Sequence, residues 1–177
     1  MNTENKIYKQ KRKRGFTLIE LLLYVSISSI ILLVTSTFLF SLLQSRIKNQ
    51  TIAEVEQQGL QVMQVITQAV RNADSINTPL QGASSASLSL NTVVALNNPT
   101  IFDLASGVIR IKEGTGEAIS LINSRITASS LNFQNFSRTN TPGTVRIQFT
   151  LTHTNTEGRN EYSFTKNFIG SSTLRQP

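Results

Sequence analysis

Arg14-Gly15-Phe16-Thr17-Leu18-Ile19-Glu20 joins a basic cluster to a long apolar run, and the reading of that junction decides the fold. From Leu21 to Ser45 no residue is charged. At ~1.5 Å per helical residue, this stretch is long enough to cross a hydrocarbon core of ~30 Å. Glu20 stands at the mouth of the span, where an ionised carboxylate costs a few kcal/mol unless something pairs with it. An acid in that place is a functional-site candidate.

On the N-terminal side, Lys6, Lys9, Lys11, Arg12, Lys13 and Arg14 oppose only Glu4, so residues 1–15 hold most of the net charge of +7. From Phe16 onward the basic and acidic residues nearly balance. The charge therefore belongs to the leader and does not mark a nucleic-acid-binding domain. Positive residues flanking a first span stay on the cytoplasmic side, which places residues 46–177 outside the cytoplasm. Cysteine is absent, so thiol usage assigns no compartment.

The motif from Arg14 to Glu20, with this basic leader and apolar run, resembles the processing site of type IV prepilins and type II secretion pseudopilins, a class III signal peptide. The resemblance is close only at the N-terminus. It implies cleavage after Gly15 by a prepilin peptidase and N-methylation of the new first residue, Phe16. It also implies an assembly role for Glu20 with the Phe16 amine of an adjacent subunit, and Lys11, Arg12, Lys13 and Arg14 become the basic cluster of a removable leader. A secretory signal peptide would end its apolar run at small residues of A-x-A type, and no alanine precedes Ala53. A plain membrane anchor explains the span but neither Glu20 nor the Gly-Phe junction.

The expected fold class is α+β, with one long N-terminal helix packed on an antiparallel sheet. That architecture is pilin-like. No Gly or Pro falls between Phe16 and Gln58. Beyond the span, Ile52, Val55, Gly59, Val62, Ile66, Ala69 and Ala73 recur at three- and four-residue steps, drawing an apolar stripe on one helix face. Asn72 to Ser75 and then Pro79 end the helix. Alternating runs predict strands at Ser87–Val93, at Val108–Lys112 and Ala118–Ile122 around a Gly-containing turn, near Leu131–Phe136, at Thr144–Thr152, and at Tyr162–Lys166. The expectation is a single meander. Residues 79–87 read as a flexible loop and Thr173 to Pro177 as a loose tail. The divisions expected are a leader at 1–15, an assembly half-helix at 16–45, an amphipathic half-helix at 46–75 and a β-rich head at 76–177.

The head offers no catalytic set. His153 reads as a surface residue beside exposed threonines, no thiol is present, and Glu113, Glu117, Glu157 and Glu161 flank two turns as solvating charge. No loop carries the dense oxygen-ligand pattern of a calcium site, so neither a metal nor another cofactor is expected. Arg146, Arg159 and Lys166 form a candidate nucleic-acid patch on neighbouring strands. A patch that small would bind DNA weakly at physiological salt, and scattered solubilising charge is the favoured account.

The major subunits of the resembled family usually carry a helix-breaking Pro about where Thr37 stands. Here the position holds Thr, and the cysteine pair of many members is missing. The Gln-rich helix ending Arg71-Asn72-Ala73, followed by Leu131-Asn132-Phe133 and a Val-Arg-Ile-Gln-Phe-Thr-Leu strand, resembles minor pilins and J-type pseudopilins. What this resemblance implies is a minor, tip-proximal subunit of a type IV pilus or type II secretion pseudopilus, not an enzyme. Its partners would be other pilins in a helical filament, the prepilin peptidase, an inner-membrane assembly platform and, before assembly, the lipid of the bacterial cytoplasmic membrane. The alternatives are a major subunit of a thin filament and a DNA-binding minor pilin of a competence system.

Overall fold

The computed structural model describes residues 15–175. The chain divides into two compact units, one ending at Leu43 and one beginning at Gln44. A single helix, α1, spans Leu18–Asn72.

In the first unit every residue from Gly15 to Leu43 is exposed except Glu20, which is half-buried. Among the described residues nothing covers this apolar stretch. Four of its hydroxyls bond their own helix: Ser26 donates to the Leu22 carbonyl at 2.8 Å, Ser29 to Val25 at 2.8 Å, Thr35 to Ile31 at 2.9 Å and Thr37 to Val34 at 2.9 Å. Back-bonding of this kind hides polar atoms from lipid and leaves these side chains free of interhelical duty.

In the second unit the later turns of α1 bury Thr51, Val55, Gly59, Val62, Ile66 and Val70. The stripe has the expected period. Its ends shift by one position, with Thr51 and Val70 facing the core where Ile52 and Ala69 were expected and are only half-buried. The helix stops at Asn72 and the chain enters strand β1, Ala73–Thr78, without a connecting loop.

The strands that follow are β2 (Ser84–Ser85), β3 (Leu88–Thr92), β4 (Thr100–Ala105), β5 (Val108–Glu113), β6 (Ile119–Ser120), β7 (Ile126–Asn135), β8 (Thr144–His153) and β9 (Thr165–Thr173). They form two antiparallel sheets, one ordered β1-β3-β4-β5-β6 and the other β2-β7-β8-β9. The single meander is thereby corrected. Between β1 and β3 the chain visits the second sheet, pairing Ser84 with Gln134 and Ser85 with Phe133.

That excursion also corrects the flexible loop. Asn135 donates from Nδ2 to the Pro79 carbonyl at 2.8 Å, and the Gly82 N–H reaches the Asn135 carbonyl at 2.9 Å. The predicted strand at Tyr162 begins later, because Asn160–Tyr162 is a 3-10 turn. The tail is shorter than expected. Thr173 closes β9, Leu174 is buried, and the Arg175 N–H bonds the Arg71 carbonyl at 3.2 Å.

One core serves both sheets and the helix. Phe102, Phe133 and Phe149 fill it with Leu88, Leu90, Ile109, Ile147 and Leu151, under Val55, Val62 and Ile66 of α1. Helix and β9 advance side by side. Gly59 meets Phe168, Met63 meets Gly170, Thr67 accepts from the Ser172 hydroxyl at 3.1 Å, and Arg71 accepts from Arg175. Four helical residues rise ~6 Å and two strand residues rise ~6.6 Å, so the two elements stay in step.

Candidate processing junction and assembly site

Gly15, Phe16 and Thr17 precede α1 in non-helical conformation. Among the described residues a side chain at position 15 would meet no neighbour. Thr17 starts the helix: its Oγ1 accepts the Glu20 N–H at 3.3 Å and its carbonyl accepts the Leu21 N–H at 3.2 Å. Thr17-Leu18-Ile19-Glu20 has the spacing of a capping box, a signal that a purely functional reading of Glu20 missed. The Glu20 carboxylate does not close the box. Its Oε1 accepts the Tyr24 hydroxyl at 3.4 Å instead, and the acid sits in the first turn, where the helix dipole favours negative charge.

Tyr24 is the residue that sequence reasoning overlooked. Its ring meets that of Phe16 edge to face, with centroids 6.0 Å apart at 68°. One side chain thus touches both members of the expected assembly pair, and the i, i+4 relation between Glu20 and Tyr24 was the available clue. Within the chain no cation neutralises Glu20 among the described residues. The leader cluster Lys11, Arg12, Lys13 and Arg14 lies outside those residues.

In the head the three candidate cations are not brought together. Arg146 pairs in register with Ser171, and Lys166 with Leu151. The interval from 146 to 151 is odd, so the two side chains leave opposite faces of the sheet. Lys166 turns toward the helix and bonds Glu56 at 2.5 Å. Arg159 is held by Glu161 and lies 3.8 Å from Glu157. Two of the three charges are neutralised locally, and the expected patch does not form.

His153 also departs from expectation, being 7% exposed. It continues the inward series Val145, Ile147, Phe149 and Leu151, stacks on Tyr162 with centroids 5.8 Å apart, and places Nε2 3.7 Å from Glu54 Oε2. Glu54 also accepts from Asn123 Nδ2 at 2.7 Å and lies 3.6 Å from Arg125. This cluster fastens α1 to the segment between the two sheets. Among the described residues no group of three or more His, Cys, Asp or Glu side chains is placed to hold a metal ion.

Residues 10–36 match the prokaryotic N-terminal methylation motif. The N-terminus is a type IV prepilin-like class III signal peptide. The motif supports a type IV pilin-like protein processed by prepilin peptidase, points to a structural subunit and implies assembly with other pilins. It fits anchoring in the inner membrane followed by a filament. No curated protein and no solved structure matches the chain, so the head must be read from its own geometry.

Proposed function

We propose that this chain is a minor pilin or pseudopilin, cut between Gly15 and Phe16 and N-methylated on the Phe16 amine. Residues 1–15 are the discarded leader, 16–45 the membrane and assembly segment, 46–72 the amphipathic half-helix, ending at Asn72 and not at the expected residue 75, and 73–177 the extracytoplasmic head. The leader cations keep the N-terminus inside. The observation that carries the reading is the uncovered apolar helix behind the methylation motif, interrupted at its mouth by Glu20. In the bilayer lipid covers that surface. In a filament neighbouring helices replace the lipid, and a carboxylate in that dry bundle needs a cation. Cleavage creates one, the Phe16 amine of the adjacent subunit, at the matching depth.

The unbroken α1, with Thr37 where major subunits usually carry Pro, supports a minor, tip-proximal role. A second reading, a major subunit of a thin filament, is favoured by the complementary surfaces described in the next subsection. Copy number decides between them. Sheared filaments holding this chain at a small fraction of the most abundant pilin support the minor role, and near-stoichiometric amounts support the other. A DNA-uptake role draws no support from Arg146, Arg159 and Lys166, which share no face.

A further inference from the structure

Two surfaces of the head remain without a partner, and their chemistry is complementary. The first is a groove of about 810 Å³ between α1 and the end of β9. Leu60, 66% exposed, and Met63 form its apolar wall, and Arg71 and Arg175 stand at one end, joined by their backbone hydrogen bond. Neither guanidinium has an ion-pair partner among the described residues. β9 is the edge of its sheet, so one side of a nine-residue strand carries no ladder.

The second surface is an acidic, apolar patch at the edge of the other sheet. Leu96 and Ile119, 83% and 66% exposed, line one concavity with Glu113 and Glu117, and exposed Val93 and Val94 precede Leu96. The β5–β6 turn is held against this stretch, since the Gly114 N–H bonds the Pro99 carbonyl at 3.0 Å. Ile111 pairs with Ile119, so both leave one face. Lys112 leaves the other, and the two glutamates have no cation partner among the described residues. Contiguous exposed apolar surface rimmed by charge marks a contact site.

We propose that the acidic patch of one copy of this chain packs against the basic groove of the next. Ile119 and Leu96 cover Leu60 and Met63, while Glu113 and Glu117 reach Arg71 and Arg175. The two surfaces do not meet within one chain, because they lie at edge strands of different sheets. A contact joining two different patches is heterologous, so it repeats from copy to copy and does not close as a two-fold dimer. Opposed charges set register and suppress the wrong pairing of groove with groove. The inference rests on the second form of the filament reading, in which copies of this chain are neighbours, and deepens it by naming which side of the head meets which.

The absence of cysteine makes the test clean. Full-length Leu60→Cys and Ile119→Cys variants are co-expressed, and sheared filaments and membranes are treated with a short bis-maleimide. The expected result is a several-fold excess of cross-linked dimer over either variant alone. Adding Glu117→Arg to the Ile119→Cys chain should remove most of that excess, and Arg175→Glu in the Leu60→Cys chain should restore it. A yield no greater than that of a control pairing Leu60→Cys with Arg138→Cys overturns the proposal. Equal dimerisation of a single variant with itself also overturns it, since that contact would be isologous. The mass of the chain in the same sample separates the two readings. A mature, filament-borne chain without the cross-link removes this contact and leaves the filament; an unprocessed chain missing from the sheared fraction removes both.

Discussion

The ring of Phe168 in β9 occupies the space beside Gly59 in α1, and a Cβ built at position 59 would stand 2.0 Å from Phe168 Cζ. Phe168 in turn stacks on Phe149, with centroids 5.3 Å apart. A glycine in mid-helix is normally a cost of ~0.5–1 kcal/mol. Here it makes room for the Phe168 ring between helix and sheet.

Gly59→Ala should therefore destabilise the head despite the better helix propensity of alanine. Overpacking costs ~1–3 kcal/mol and propensity returns up to ~1 kcal/mol, for a net loss of about 1 kcal/mol. Gly59→Leu should lose about 3 kcal/mol or more, and Phe168→Leu in the Gly59→Ala background should recover part of the loss. Denaturant unfolding of the detergent-extracted chain reads all three. Unchanged midpoints would show that Phe168 is free to move aside.

The turn at Asn160–Tyr162 should weaken in acid. The Glu161 carboxyl is held below the usual glutamate range, first by its own backbone N–H and then by the Arg159 guanidinium. A depressed folded-state pKa gives stability that is present at neutral pH and is lost as pH falls through the depressed value. Glu161→Gln should be less stable than the parent at neutral pH, with the gap closing as the solution is acidified below the ordinary carboxylate range. A gap that is constant with pH would remove the ion pair from the account. The Arg159 side of the pair is solvent-accessible, so the effect will be small and salt-sensitive.

Glu20→Gln should separate processing from assembly. The amide keeps the backbone cap from Thr17 and remains able to accept from Tyr24, so cleavage should proceed. Removing one side of a buried ion pair costs ~3–5 kcal/mol, which corresponds to a loss of incorporation of about 10²- to 10³-fold or more. Tyr24→Phe keeps the edge contact with Phe16 and loses only a long hydrogen bond, so its loss should be much smaller. Quantitative blotting of sheared filaments against the membrane fraction measures both. Normal incorporation of Glu20→Gln would leave Glu20 with no role beyond the helix cap.

The long helix was legible because its apolar period persists past the span, and the strand Thr144–His153 because its alternation is unbroken. That same alternation ran on to His153 and pointed it inward, so reading the histidine as a surface group set residue type above parity. β1 escaped because Ala73–Thr78 holds one large apolar residue, Ile76. β4 escaped because Ile101, Phe102 and Leu104 do not alternate cleanly. The split into two sheets was not legible, since a strand's own pattern says which face is buried and not which strand lies beside it. The patch of Arg146, Arg159 and Lys166 failed for the same reason: sharing a face depends on register, and the register places 146 and 166 on opposite sides. At the processing junction the signals are local in sequence, yet the Thr17 cap and the Tyr24 contacts were both missed.

The central claim, that residues 1–15 are a leader removed in front of Phe16, meets its most direct test in the intact mass and N-terminal sequence of membrane-extracted protein, with and without prepilin peptidase. The account predicts a chain beginning at N-methylated Phe16 when the peptidase is present and a chain still carrying the leader when it is absent. A chain retaining Met1 to Gly15 in both cells would contradict it and leave a membrane-anchored β-domain with no assembly role.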